Sequence, residues 1–193
     1  MKIVLLGPLG SGKGTQATRL AQRLLIPQFS IGDMLRAAVS AGTSIGRKAE
    51  TVMERGELVP DELVVAVVAE RIFRPDAGKG FILDGFPRTI AQAMALEDII
   101  VTNGLNLDCV VELKVDEEVL LGRILKRAEE AKTDGQTVRA DDTEGALKVR
   151  LEEYRRQTEP LVDYYRAKGI LKTIDGLQPV NNVATSIFKA LAA

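Results

Sequence analysis

The chain has 193 residues, 46% of them apolar and 27% charged, which is room for one soluble domain with a sizeable core. Its 26 basic and 27 acidic residues leave a net charge of −1, so no bulk attraction to nucleic acid or to an anionic membrane is expected. Histidine is absent and cysteine occurs once, which excludes His-dependent triads, His metal sites, zinc ribbons and intrachain disulfides.

From the N-terminus, apolar residues 3–6 predict a strand over 2–6, with a helix over 13–24. That apolar run is too short for a signal peptide or a membrane span, and a cytoplasmic protein is expected. Between strand and helix lies Gly7-Pro8-Leu9-Gly10-Ser11-Gly12-Lys13-Gly14-Thr15. Gly7, Gly10 and Gly12 allow tight turns that aim backbone N–H groups inward, and the helix adds its positive end. Lys13 is placed to reach β- and γ-phosphates, so the loop reads as a polyphosphate cradle. It departs from G-x-x-x-x-G-K-[ST] at one point: Gly14 takes the hydroxyl position, and Thr15 supplies the hydroxyl one residue later.

A strand is predicted over 28–30, then short helices over 33–40 and 44–55, joined through Ala41-Gly42-Thr43 and ended by Gly56. This is more chain than one crossover needs, so residues 30–59 are expected to form a small separate lobe. Further on come a helix over 61–73, a strand over 80–83, a helix over 89–102, a strand over 109–115 and a helix over 116–131. Cys109 reads as a small buried hydrophobe. The polar stretch around Lys132-Thr133-Asp134-Gly135-Gln136 reads as a hinge or hairpin tip, and residues 128–138 as a short mobile lid. In a long helix over 142–167, Leu147, Leu151, Tyr154, Thr158 and Leu161 recur at steps of three or four. A last strand is predicted over 171–175. The alternation implies a single α/β domain, a doubly wound five-stranded parallel sheet with helices on both faces and a core of 1–29, 60–127 and 139–193.

Three polar clusters follow three of these strands: the glycine-rich loop, Gly32-Asp33-Met34-Leu35-Arg36, and Asp84-Gly85-Phe86-Pro87-Arg88. Carboxyl ends of parallel strands form the ligand crevice of such sheets, so the clusters face one another. Asp84 suits water-mediated Mg²⁺ binding or the capping of the next turn. Asp33 either assists the same water shell or caps a helix over 34–40. Arg36 and Arg88 have the fork geometry for a phosphate, with a solvated salt bridge as the plain alternative. Arg123 and Arg127 are four apart on one helix face, and Arg139 and Arg150 follow the polar stretch; alone, these read equally as a charged surface.

With these motifs the chain resembles the adenylate kinases of the nucleoside monophosphate kinase family over nearly its whole length. The resemblance rests on residues 7–16, on Ser30-Ile31-Gly32-Asp33-Met34-Leu35-Arg36 and on residues 80–93. Arg139-Ala140-Asp141-Asp142, Arg150, Asp175-Gly176 and Pro179-Val180 extend it. Gly14-Thr15 is the family's own form of the phosphate loop. The resemblance implies that Gly10, Ser11, Gly12, Lys13, Gly14 and Thr15 hold the ATP phosphates, and that Arg36 and Arg88 hold the AMP phosphate. It implies that Glu57, Leu58, Val59, Gly85 and the Gln92 amide receive the AMP base, alongside Ile31, Phe86 and Pro87. Arg123 is then expected on the ATP adenine with the Gln178 backbone near it, and Arg127, Arg139 and Arg150 across the phosphates from the lid side. The implied catalytic set is Lys13, Arg88, Arg123, Arg139 and Arg150, with Asp33 and Asp84 holding Mg²⁺ through water, no zinc site, and a cis Phe86–Pro87 peptide.

The implied reaction is ATP + AMP ⇌ 2 ADP, serving adenine nucleotide homeostasis in a monomer with no nucleic-acid or membrane partner. Leu9 stands where the family commonly has Pro or Gly, and Ile31 where it usually has Thr beside the acceptor base. The lid lacks the long, often zinc-bound insert of many bacterial members. A UMP/CMP or other nucleoside monophosphate kinase is the alternative that Ile31 feeds and Gln92 opposes. A nucleotide-binding switch that closes without turnover is another.

Overall fold

In the computed structural model, residues 1–116, 118–120, 122–124, 126, 133 and 143–192 are described. Runs of Ile, Val, Leu and Phe form the three central strands, which are covered on both faces, whereas the two edge strands mix apolar with polar residues and bury one residue each. Strands β1 (Lys2–Leu6), β2 (Gln28–Ser30), β3 (Phe81–Asp84), β4 (Cys109–Lys114) and β5 (Leu171–Asp175) pair in parallel in the order β2-β3-β1-β4-β5. Leu5 lies opposite both Asp84 of β3 and Val111 of β4. Residues of β1 alternate between two cores, since successive side chains point to opposite faces. Val4 and Leu6 join Phe29, Leu83, Leu96, Leu161 and Tyr165, whereas Ile3 and Leu5 join Ala17, Leu20, Val111, Val183 and Ile187.

The covering helices are α1 (Lys13–Leu24), α2 (Ile31–Ser40), α3 (Ser44–Glu54), α4 (Asp61–Ile72), α5 (Ile90–Thr102), α6 (Glu144–Glu153), α7 (Pro160–Ala167) and α8 (Val180–Ala192). Residues 118–120, 122–124 and 126 are also helical. No helix among the described residues is long and apolar enough to cross a membrane. Chain connections leave β1 toward β2 on one side and β4 toward β5 on the other. That divergence opens a crevice at the carboxyl end of the central strand, where the glycine-rich loop begins.

Three elements differ from the sequence expectation. Helix α2 starts at Ile31 and not at residue 33, because the Ser30 hydroxyl accepts the Asp33 N–H at 3.4 Å. Ser30 is therefore the cap, and Asp33 lies inside the first turn. The single long helix over 142–167 is interrupted by a π-turn over Tyr154–Thr158, closed by a 2.8 Å bond from the Glu159 N–H to the Tyr154 carbonyl. Pro160 offers no N–H, and its ring would strike the carbonyl four residues back; a turn one residue wider resolves both. The C-terminal helix α8 is an addition to the predicted elements; Val183, Ala184 and Ile187 bury one face of it. Expectations for Arg127, Arg139, Asp141, Asp142 and the lid over 128–138 lie outside the described residues, apart from Thr133, which is helical.

Gly56, just past α3, joins this region to α6. Its φ is +78°, and a Cβ there would sit 2.4 Å from the Ala146 carbonyl oxygen and 3.0 Å from Cγ of Arg150. Gly56→Ala is expected to cost about 1–3 kcal/mol of stability, through φ strain and overpacking together, read as a lower midpoint in urea unfolding.

Candidate functional site

The loop after β1 is built by backbone conformations that favour glycine. Gly10 and Gly12 have φ of +81° and +94°, and Gly12 caps α1 without a side chain. The first intrahelical bond runs from the Gln16 N–H to the Gly12 carbonyl at 3.0 Å. The backbone donors of the turn before it, with the positive end of α1, form an anion-binding concavity. Lys13 Nζ folds back over the loop and donates to the carbonyls of Gly7 (2.7 Å) and Pro8 (2.8 Å). Ser11 Oγ is buried in the loop with no hydrogen-bond partner among the described residues.

The second cluster lies after β3, where the Phe86–Pro87 peptide is cis. Arg88 Nε donates to the Gly85 carbonyl at 3.0 Å, and the Arg88 N–H donates to Gln92 Oε1 at 2.8 Å. The Arg88 carbonyl accepts from Thr158 Oγ1 at 2.8 Å, so a hydroxyl of the π-turn anchors the arginine backbone. On α2, Arg36 is ion-paired with Asp33 at 2.5 Å, and its guanidinium lies against Gly32, where a Cβ would come 3.1 Å from Nη2. Arg123 donates through Nη1 (3.1 Å) and Nη2 (3.2 Å) to the Gly176 carbonyl, in the turn after β5. The Gly176 N–H is in turn tied to the Lys114 carbonyl at 2.8 Å.

These groups line one crevice of about 710 Å³, within the size of a small-molecule site. Among its described lining residues are six cations (Lys13, Arg36, Arg88, Arg123, Lys126, Arg150) and two carboxylates, Asp33 and Asp84. That imbalance suits a polyanion, because preorganised positive charge with low-dielectric walls focuses the field. A side pocket of about 50 Å³, lined by Ile31, Glu57, Leu58, Val59, Gly85, Gln92 and others, opens beside Arg36 and Arg88. Arg150 lines both spaces.

Two groups at the edge, Glu153 and Tyr154, are moved away from neutrality by their surroundings. A hydrogen bond from Arg156, aided by Gln157, holds the Glu153 carboxyl below its usual range. Burial, then the charges of Glu112 and Glu159, pushes the Tyr154 phenol far up. Cys109 starts β4, at the end of the sheet away from the crevice, and burial raises its thiol. Among the described residues no group of three or more Cys, Asp or Glu is placed to hold a metal by itself. A Cβ at Gly14 would lie 3.6 Å from Asp84 Oδ2, so the glycine leaves open space between the cradle and a hard carboxylate oxygen. A carboxylate beside a phosphate cradle fits an ion such as Mg²⁺, which keeps most of its waters and phosphate ligands.

The sequence model of the adenylate kinase family matches residues 5–170. This chain belongs to that family. It is 58% identical over 191 residues to the adenylate kinase of Methylobacterium radiotolerans, covering 99% of this chain and 96% of that protein. The adenylate kinase of Azorhizobium caulinodans is 58% identical over 187 residues, covering 97% and 96%. That of Beijerinckia indica is 54% identical over 193 residues, covering all of both chains.

For an adenylate kinase family member, most residues singled out from the sequence meet in the crevice or its side pocket. Phe86 is buried in the core below the pockets, and Pro87 lines a second small pocket with Leu9, Lys13 and Tyr154. Two site-shaping residues escaped sequence reasoning. Thr158 was legible only as a step of the apolar stripe of its helix. Asp61, whose carboxylate bonds both Thr89 and Gln92, was legible only as the start of a helix.

Gly32 gives a test that separates site from stability. Alanine suits a helix better than glycine by about 1 kcal/mol, but a methyl here displaces the Arg36 guanidinium. Gly32→Ala is expected to keep or raise the thermal midpoint while raising the KM for a nucleotide substrate, measured by melting and steady-state kinetics.

Proposed function

We propose that this chain transfers the terminal phosphoryl group of ATP to AMP, reversibly and with Mg²⁺, giving two ADP. The observation that carries the reading is a second arginine pair, Arg36 and Arg88, lining the same crevice as the phosphate loop. One polyphosphate needs only the loop; a pair of forked cations beside it, opening on a pocket with an amide wall, suits a monophosphate with a base attached.

In this reading the loop from Gly10 to Thr15 and Lys13 hold the donor phosphates, and Arg36 and Arg88 hold the acceptor phosphate. An acceptor phosphate oxygen forms a bond to the γ-phosphorus as the bond to the β,γ-bridging oxygen breaks, and ADP leaves. Charge spreads over the three γ-oxygens, so positioning and positive charge carry the catalysis and no protein nucleophile is required. Lys13, Arg88 and Arg150 surround the transferring group, Arg123 lies on the ATP adenine, and Arg127 and Arg139 reach the phosphates from the lid side. Residues 30–59 act as the acceptor lobe and residues 128–138 as the lid. Arginines acting in this way are worth ~10³–10⁵ in rate, on the order of 4–7 kcal/mol. Asp84 would hold Mg²⁺ through water, and the ion would supply further neutralisation of the phosphates; Asp33, ion-paired with Arg36, would take a lesser part.

The acceptor base enters the side pocket against Gln92, the backbone of Glu57, Leu58 and Val59, and Ile31. Lobe and lid closure expel water, so the phosphoryl group passes to AMP and not to hydroxide.

A coupled assay with ATP and each of AMP, CMP, UMP and GMP tests the reading. AMP is expected to be the preferred acceptor; preference for a pyrimidine nucleotide, or nucleotide binding without turnover, contradicts it. Lys13→Ala and Arg88→Ala are each expected to lower kcat/KM by about 10² or more with the far-ultraviolet circular dichroism unchanged. Near-wild-type activity in either variant removes that residue from the site.

A further inference from the structure

We infer that Asp61, which lies outside the nucleotide crevice, fixes the sense of the Gln92 amide and so makes the acceptor site select 6-amino over 6-oxo bases. The inference rests on the reading above that the Gln92 amide meets the acceptor base.

Gln92 is 2% exposed, in the first turn of α5, and its N–H bonds the hydroxyl of the capping residue Thr89 at 3.1 Å. The two ends of its side chain have chemically different partners. Oε1 accepts from the Arg88 N–H at 2.8 Å, and Nε2 donates to Asp61 Oδ1 at 2.7 Å. The other carboxylate oxygen, Oδ2, accepts from Thr89 Oγ1 at 2.9 Å. Asp61 is the first residue of α4, where the chain returns from residues 30–59 to the sheet.

An amide is nearly symmetric in shape, so only its partners decide which end carries oxygen. A peptide N–H can only donate, and an ionised carboxylate can only accept. Turning the Gln92 amide over would set N–H against N–H at Arg88 and oxygen against oxygen at Asp61. Each end keeps one further valence: a lone pair on Oε1 and an N–H on Nε2. Together they form an acceptor beside a donor. Adenine offers the matching edge, an exocyclic N6–H beside the N1 acceptor. Hypoxanthine and guanine offer the reverse, O6 beside an N1–H, which only the turned amide could satisfy. A buried site rejects such a mismatch strongly, because the polar groups on both sides stay unpaired. Asp61 is thus a positioning residue acting through Gln92.

The test compares AMP with inosine monophosphate, which has the same size and the opposite edge. The ratio of kcat/KM for AMP to that for IMP is expected to fall about tenfold or more in Asp61→Ala, with the KM for ATP unchanged, since one charge-assisted hydrogen bond is lost. Asp61→Asn is expected to retain the ratio, because its carbonyl can accept from Nε2 while its amide donates to Thr89 Oγ1. Asp61→Ser, which suits a helix start but is too short to reach Gln92, is expected to behave as Asp61→Ala and serves if that variant does not fold. An Asp61→Ala or Asp61→Ser enzyme that slows equally with AMP and IMP, at an unchanged ratio, overturns the inference. Gln92→Leu separates the two levels. If it leaves the ratio unchanged, the placement of Gln92 at the base fails and the inference with it. If it collapses the ratio while the Asp61 variants do not, only the inference fails. In the Gln92→Leu background, Asp61→Ala is expected to change the ratio no further.

Discussion

Like charges gathered close together in one crevice are the constraint on which this structure turns. Lys13, Arg36, Arg88, Arg123, Lys126 and Arg150 line one crevice at the carboxyl ends of the strands. Three of them are steadied by carbonyl oxygens: Lys13 by Gly7 and Pro8, Arg88 by Gly85, Arg123 by Gly176. A carbonyl dipole orients a cation without itself adding a net charge. Arg36 is paired with Asp33 near the exposed rim, where screening makes the pair weak.

The carbonyls must themselves be held, and the fold does this by turns that press backbone against backbone. Gly176 bonds the end of β4, and a Cβ there would lie 2.6 Å from Cγ2 of Val115 and 3.4 Å from the Ser11 carbonyl. The turn after β5 therefore sits against both β4 and the phosphate loop, which ties Arg123 to the loop it faces. On the other side the π-turn before Pro160 brings the Thr158 hydroxyl to the Arg88 carbonyl. The helix bearing Arg150 is continuous with that turn, so two arginines from separate segments are referenced to one irregular helix. Irregular turns of this type recur at functional sites because they aim a side chain that a regular helix would bury or expose.

Local signals were legible in the chain, and long-range partnerships were not. The strands match the predicted ones to within a residue at their ends; for the three central strands this is because a parallel sheet covered on both faces needs near-continuous Val, Ile and Leu. Glycines of the phosphate loop were legible because their positive φ and the following helix are local requirements. The π-turn was hidden because the step of the stripe from Leu147 to Leu161 is preserved through it, and only Pro160 hints at the wider turn. The Asp33 reading missed Ser30 as the cap, since both are good N-terminal residues and only geometry decides. Gln92 was legible as an amide on a helix start, whereas its bond to Asp61 spans 31 positions and has no sequence signature.

Two anion sites in one crevice should accept one molecule that fills both. Two adenosines joined through five phosphates carry the donor chain, the transferring group and the acceptor phosphate in a single ligand. Isothermal titration calorimetry is expected to give one molecule bound per chain, displaced in competition by ATP and by AMP alike, and weakened by Lys13→Ala and by Arg88→Ala. Binding of two molecules per chain, or competition with only one of the two nucleotides, would contradict a shared crevice.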